Sequence, residues 1–445
     1  MAKKKKICNT DLYSGLEQST LSTPLLTPLL TPLFSMFSWI LVYTIALLAT
    51  LTTAASVDPE PFYHPTHGWE DKHPGDVLRK RSITPKVFDS LGIDIKAYQL
   101  LYRTSGNTPQ DPSYTVTTVL VPTNATKDRV VLQPSHQNSA DATCAPSHRI
   151  TEALDTESFF SVYTWNGFLK KGYTVIAPDF QGPSSAFGAG RLAGHMSLDA
   201  VRATLASGVA PLSKQSKVVG YGYSGGSQPV GWAASLQRGY APELNTVGWA
   251  LGGTVADVGA LMRHQDGGSW AGYAFTDIVG LEAAYHDLKD ALRSRWTSKG
   301  KRMVKFVKEH CSKDIKQEFQ SVKLPSDKFF KLGGVLFLEP AFLKVFDTLV
   351  MGSKREETPV APVLMYHAFD DATVPYGPAS HTAKQWAEHG GNVTFVSDIG
   401  KKASHASEEL KTLPGVLAFT ENRFKGKPFH KGLNTLILDF GRKHY

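Results

Sequence analysis

Cysteine is scarce in this chain, with three in 445 residues, and no two stand at the close spacing of a zinc or redox motif. There is no H-E-x-x-H, and no glycine-rich dinucleotide loop follows the first strand. Neither a metal nor an organic cofactor is therefore implied. Charged residues make up only 20% against 42% hydrophobic, which points to neither wholesale disorder nor a multi-span membrane protein. The net charge of +8 gives little support to a nucleic-acid partner. Four of the lysines are Lys3, Lys4, Lys5 and Lys6, and many others fall in 289–331, interleaved with Asp290, Glu309, Asp314 and Glu318 as on solvated helices. A basic face of that kind also suits a lipid or membrane surface, which stays open as a partner.

What is present begins with a leader. Residues 33–49 are almost continuously apolar, and Thr53, Ala54, Ala55 and Ser56 supply small residues for a signal peptidase. Residues 1–56 therefore read as a secretory leader cleaved near Ala55 or Ser56, with an uncleaved signal anchor as the alternative because the run approaches bilayer-spanning length. The Thr-Pro-Leu repeat of 23–33 is low in complexity, and Met36 is an alternative start. Cys8 lies in this leader, so an exported body holds one natural pair, Cys144 and Cys311, the other reading being two separate buried thiols. Asn124 in Asn-Ala-Thr and Asn392 in Asn-Val-Thr are glycosylation sequons.

Short apolar strands bounded by turn residues are expected at 114–122, 173–177, 218–222, 247–251, 363–366 and 393–397, with helical stretches between them. That alternation predicts an α/β fold, a mostly parallel sheet with helices on both faces. Between 251 and 363 the pattern is helical, as in 281–295 and 301–308, which predicts a helical cap inserted into the sheet domain. The expected organisation is 57–254 and 359–445 as the two parts of one α/β domain, with 255–358 as the cap. The apolar run from Phe329 to Phe346 in the cap reads first as core and second as lining for a substrate cleft.

The strongest local signal is Gly222-Tyr223-Ser224-Gly225-Gly226 between a strand and the helical stretch 228–237. A nucleophile on a sharp strand-to-helix turn needs glycines two before and two after it, because side chains there would collide. The Gly225 N–H at the helix start then faces a developing oxyanion. A serine hydroxyl is a weak nucleophile, so a base and an acid to orient it must follow, in the order serine, acid, histidine. After the strand at 363–366 comes His367-Ala368-Phe369-Asp370-Asp371, from which Asp371 is taken as the acid with Asp370 in reserve. His405 lies on the loop after the next strand, where the base belongs; His367, His381, His389 and His430 fit that placement less well.

These residues resemble the fungal secretory lipases, a family of α/β-hydrolase fold. The resemblance covers roughly residues 82–442. Its carriers are Asn138-Ser139 followed by Cys144-Ala145-Pro146-Ser147, Gly172-Tyr173-Thr174-Val175-Ile176-Ala177-Pro178-Asp179, Leu198-Asp199-Ala200-Val201-Arg202, the elbow, the Asp371 loop and His405. The resemblance implies a Ser224, Asp371 and His405 triad, a Cys144 to Cys311 disulfide into the cap, and an oxyanion donor on the early loop. There the family usually carries an aspartate and this chain has Asn138. The second cysteine pair of many yeast members is missing. The layout leans toward the branch that removes a C-3 acetyl group from trichothecenes, with a triacylglycerol lipase as the main alternative. A serine peptidase and a non-catalytic binding protein are the alternatives of other classes; nothing resembles the propeller domain of the oligopeptidases, and a dead homologue would be free to lose any of the three residues. The expected partner is a small-molecule ester and the expected state a monomer.

Overall fold

A computed structural model describes residues 61–439 apart from 92, 156, 157 and 402. The leader reading of residues 1–56, including Met36, lies outside the described residues. Ten strands form one sheet: β1 (Val77–Ile83), β2 (Ile95–Ser105), β3 (Pro112–Pro122), β4 (Arg129–Leu132), β5 (Thr174–Pro178), β6 (Lys217–Tyr223), β7 (Thr246–Gly252), β8 (Val363–Ala368), β9 (Val393–Asp398) and β10 (Leu433–Leu438). Their order is β1-β2-β3-β5-β4-β6-β7-β8-β9-β10. β1, β2 and β3 pair antiparallel, β3 meets β5 antiparallel, and every pairing from β5 to β10 is parallel.

The strand period of two sorts the core into two layers. Val130, Leu132 and Val218 point to one face, where they pack with Leu198, Trp232 and Trp386 of the helices Gly190–Ser207, Ser227–Tyr240 and Tyr376–Glu388. Val131, Val219 and Tyr221 point to the other, against Trp165, Phe168, Val416 and Phe419 of the helices Phe159–Leu169 and His405–Phe424. Six of the strands fall where the sequence pattern places them. β1 carries Arg79, Lys80 and Arg81 on a sheet edge, and β4 is only four residues long, so neither stands out in the sequence.

Between β7 and β8 the chain forms helices around an apolar centre of their own, built on Phe275, Phe319, Phe330, Leu336 and Phe342. The helical pattern at 281–295 is divided between the end of Ala271–Ala284 and the helix His286–Arg293. The break is at Tyr285, which is extended (φ −121°, ψ 110°) and starts the second helix.

Cys144 and Cys311 are joined, Cα to Cα 5.7 Å, closing a loop of 167 residues from the segment after β4 into this helical insertion. Close by, Ser139 Oγ donates to the His310 carbonyl at 2.9 Å, so the two segments are tied twice. Cys311→Ser should lower unfolding free energy by about 3 to 5 kcal/mol, since the crosslink chiefly restricts the unfolded chain. Urea unfolding followed by tryptophan fluorescence measures this; an unchanged midpoint would show that the bridge contributes nothing.

Candidate active site

The geometry begins at the turn after β6. Ser224 has φ +53°, a strained value for a residue with a side chain. The turn closes because Gly222 has no Cβ; one there would stand 2.1 Å from the Gly226 carbonyl oxygen. Strand, nucleophile turn and the helix Ser227–Tyr240 follow in immediate succession, which leaves the Ser224 hydroxyl half-buried at the strand's C-terminal end.

β8 and β9 are neighbours in the sheet, so the loops after them meet beside this turn. His405 is the first residue of the helix His405–Phe424, whose Ser404 N-cap accepts from the Ser407 N–H. Its Nε2 accepts from Ser224 Oγ at 2.7 Å, and its Nδ1–H donates to Asp371 Oδ2 at 2.7 Å. Asp370 is exposed, whereas Asp371 is buried. The Tyr223 hydroxyl donates to the His405 carbonyl at 2.5 Å, fixing the start of the helix from the opposite side. Gly253, at φ +49°, leaves room for the imidazole, as a Cβ there would reach within 2.8 Å of its Cε1.

Asp371 is held by more than its histidine. Its Oδ1 accepts from the Thr373 and Val374 N–H groups at 2.8 and 3.0 Å. The fully buried His367 stands 3.4 Å from Oδ2. Because the Thr254 N–H donates to His367 Nδ1 at 3.3 Å, the proton of that ring is on Nε2, which also donates to the Val374 carbonyl at 3.1 Å. Burial on its own would push the Asp371 carboxyl up, but the bonds from His367 and His405 outweigh it and hold the carboxyl well below the usual range. Sequence placement had set His367 aside as a base; it serves as a buried second partner of Asp371. The only hint in the sequence is its position four residues earlier, at the end of β8.

On the other side of Ser224, Asn138 adopts φ +24° and its amide lies against Gly225, where a Cβ would stand 2.8 Å from Oδ1. Ser224, Gly225, Asn138 and His405 open onto one cavity of about 370 Å³. Phe187, Val255, Leu261, Trp270, Tyr273 and Val374 give it apolar walls. None of the described residues that line it comes from the run Phe329 to Phe346, which supplies cap core instead. Among the described residues no cluster of metal-binding side chains is found.

Residues 151–432 match the family model described as secretory lipase. The chain belongs to the secretory lipase family. A secreted triacylglycerol lipase of Malassezia restricta is 44% identical over 380 residues, 84% of this chain and 81% of the relative. One of Malassezia globosa is 39% identical, over 84% of this chain and 80% of that protein. Candida antarctica lipase A, solved in its closed state, superposes with a TM-score of 0.78 at 26% identity, covering 85% of this chain and 89% of the other. The fold is that of an α/β-hydrolase, and this secretory lipase family member is a carboxylic ester hydrolase.

One turn beyond His405, Glu409 lines the cavity, and burial pushes its carboxyl up to about 8. A carboxyl whose pKa is raised on folding keeps a proton that the unfolded chain has released. Its stability contribution is thus full below the unfolded value and is lost as pH rises through about 8. Glu409→Gln should therefore gain melting temperature relative to the parent on going from pH 5 to pH 9. Paired thermal scans check this, and a constant difference across that range would contradict it.

Proposed function

We propose that this chain is a secreted triacylglycerol lipase in which Ser224 is the nucleophile, His405 the general base and acid, and Asp371 the residue that orients and charge-balances His405. The observation that carries the reading is the unbroken relay from Ser224 Oγ to Asp371, 2.7 Å at each step, opening onto an apolar cavity. As Ser224 Oγ attacks the ester carbonyl carbon, its proton passes to His405 Nε2. The resulting imidazolium is stabilised by Asp371, and the carbonyl oxygen, now negative, takes hydrogen bonds from the Gly225 N–H and the Asn138 amide. Collapse breaks the ester C–O bond, the alcohol leaves with the proton from His405, and an acyl-serine remains. Water activated by the same imidazole then releases the acid and restores Ser224.

The relatives named above support a triacylglycerol, the alternative of the two readings offered by the sequence, over an acetylated trichothecene as the substrate. The leaning to C-3 deacetylation has no further support. The leader read in the sequence at 1–56 and the relatives' names support secretion. We place the α/β domain at 57–254 and 359–445 and the cap at 255–358, in a monomer. Exposed Val335, Leu338 and Leu343, in a stretch that also carries Lys331 and Lys344, suit contact with a lipid surface. Asn124 is exposed in the turn after β3 and is the better glycan acceptor. Asn392 is half-buried and its Oδ1 accepts from the Gly432 N–H at 3.1 Å.

The test is a hydrolysis series on tributyrin, triolein and a 3-acetylated trichothecene, with Ser224→Ala as the blank. The expected outcome is turnover of both triglycerides, none of the trichothecene, and loss of all turnover in the blank. Trichothecene deacetylation without triglyceride hydrolysis would overturn the lipase assignment.

A further inference from the structure

The helix Ala271–Ala284 of the cap is buried over its first three turns, and along that buried stretch it carries one ionisable acid, Asp277. Asp277 is 1% exposed and lines the same cavity as Ser224 and His405. Its Oδ2 has no hydrogen-bond partner. Its Oδ1 packs on Gly188, where a Cβ would come within 2.6 Å, so glycine at that position lets the carboxyl close against the loop backbone. The Gly188 carbonyl is already engaged by Gln228 Nε2 at 3.3 Å. A second residue of the lining also carries an unpaired atom: Gln265 donates through Nε2 to the Thr373 carbonyl, and its Oε1 is buried without a partner.

Lys313 and Lys316 line the same cavity, but among the described residues no cation is paired with Asp277; burial alone acts on it, and pushes its carboxyl well above the ordinary range. A carboxylate without a counter-charge would be strongly disfavoured there, so the group is a neutral acid, able both to donate and to accept. Leaving such a group unpaired is destabilising, a cost that an apolar residue of similar size would avoid. The lipase chemistry derived above makes no use of it. Set among walls that are largely apolar, a donor and acceptor of this kind matches a hydroxyl, which is also both.

We propose that Asp277 is a specificity-determining residue that binds a hydroxyl group of the substrate, so that the enzyme prefers hydroxyl-bearing esters over otherwise matched esters without one. The inference rests on the ester-hydrolase site proposed above. The hydroxyl has two possible sources, the free position of a partial glyceride or a hydroxylated acyl chain, and two substrate pairs separate them. One pair is 1,2-dioleoylglycerol against triolein; the other is p-nitrophenyl 12-hydroxystearate against p-nitrophenyl stearate. In at least one pair the wild-type enzyme should favour the hydroxyl-bearing member by on the order of 10-fold in kcat/KM. Asp277→Leu should bring that ratio close to one, and Asp277→Asn, which keeps a donor and an acceptor, should retain most of it. Asp277→Ala gives the same reading if the leucine does not fit. The readout is a ratio within one protein, so a loss of folded enzyme that scales both rates leaves it unmoved.

A preference in the glyceride pair alone assigns the hydroxyl to the alcohol side, and in the stearate pair alone to the acyl side. Equal ratios in wild type and Asp277→Leu for both pairs would overturn the inference, with water as the only occupant of the site, and would leave the lipase reading intact. Failure to hydrolyse either glyceride while the p-nitrophenyl esters turn over would overturn the lipase reading instead, and the stearate pair then decides on Asp277 by itself.

Discussion

The site depends on keeping one buried carboxylate charged. Asp371 is 4% exposed, a position where an isolated anion would take up a proton or destabilise the fold. Two backbone N–H groups of its own loop, the Nε2–H of His367 and the Nδ1–H of His405 converge on it. The first three fix the carboxylate whether or not His405 is in place. His405 is then set by a partner that does not itself have to move, and its Nε2 is left facing Ser224.

The sheet explains why these groups meet. Parallel strands deliver their following loops to one edge, and β6, β7 and β8 are consecutive neighbours, so Ser224, Gly253 and Asp371 leave the sheet side by side. Of the four non-glycine residues at positive φ among the described residues, two, Ser224 and Asn138, lie at the candidate site. Both are braced from outside the sheet. Ser227 Oγ closes the elbow by donating to the Ser224 carbonyl, and the Asn138 loop is tied to the cap through Ser139 and the nearby disulfide. The position of Asn138 and the packing of the cap are thereby linked.

Much of this was legible in the sequence, and for specific reasons. Strands such as β6 and β9 are short apolar runs between turn residues, and the elbow shows itself through the glycines that its turn geometry demands. Asp371 and His405 follow from chain order once Ser224 is placed. His367 was not legible, because its role comes from a Thr254 N–H more than 100 residues away, which selects its tautomer. Nor was the cavity wall: the Phe-rich run, read first as core and second as lining, supplies cap core through Phe329, Phe330, Leu336 and Phe342 and none of the lining. The actual walls come from residues such as Trp270 and Val255, which no periodicity marks out. Asp277 was passed over for a similar reason, since a single acid in a helix reads as solvent-exposed until the packing around it is known.

The central claim is that Asp371, through His405, makes Ser224 nucleophilic. The most direct measurement is the rate at which a fluorophosphonate labels Ser224, with the adduct located by peptide mapping, in wild type and in Asp371→Asn. An amide at 371 accepts less well and turns the imidazole toward the wrong tautomer. The account predicts that labelling remains confined to Ser224 and slows by on the order of 10⁴-fold. A rate within a few-fold of wild type, or an adduct on another residue, would contradict it.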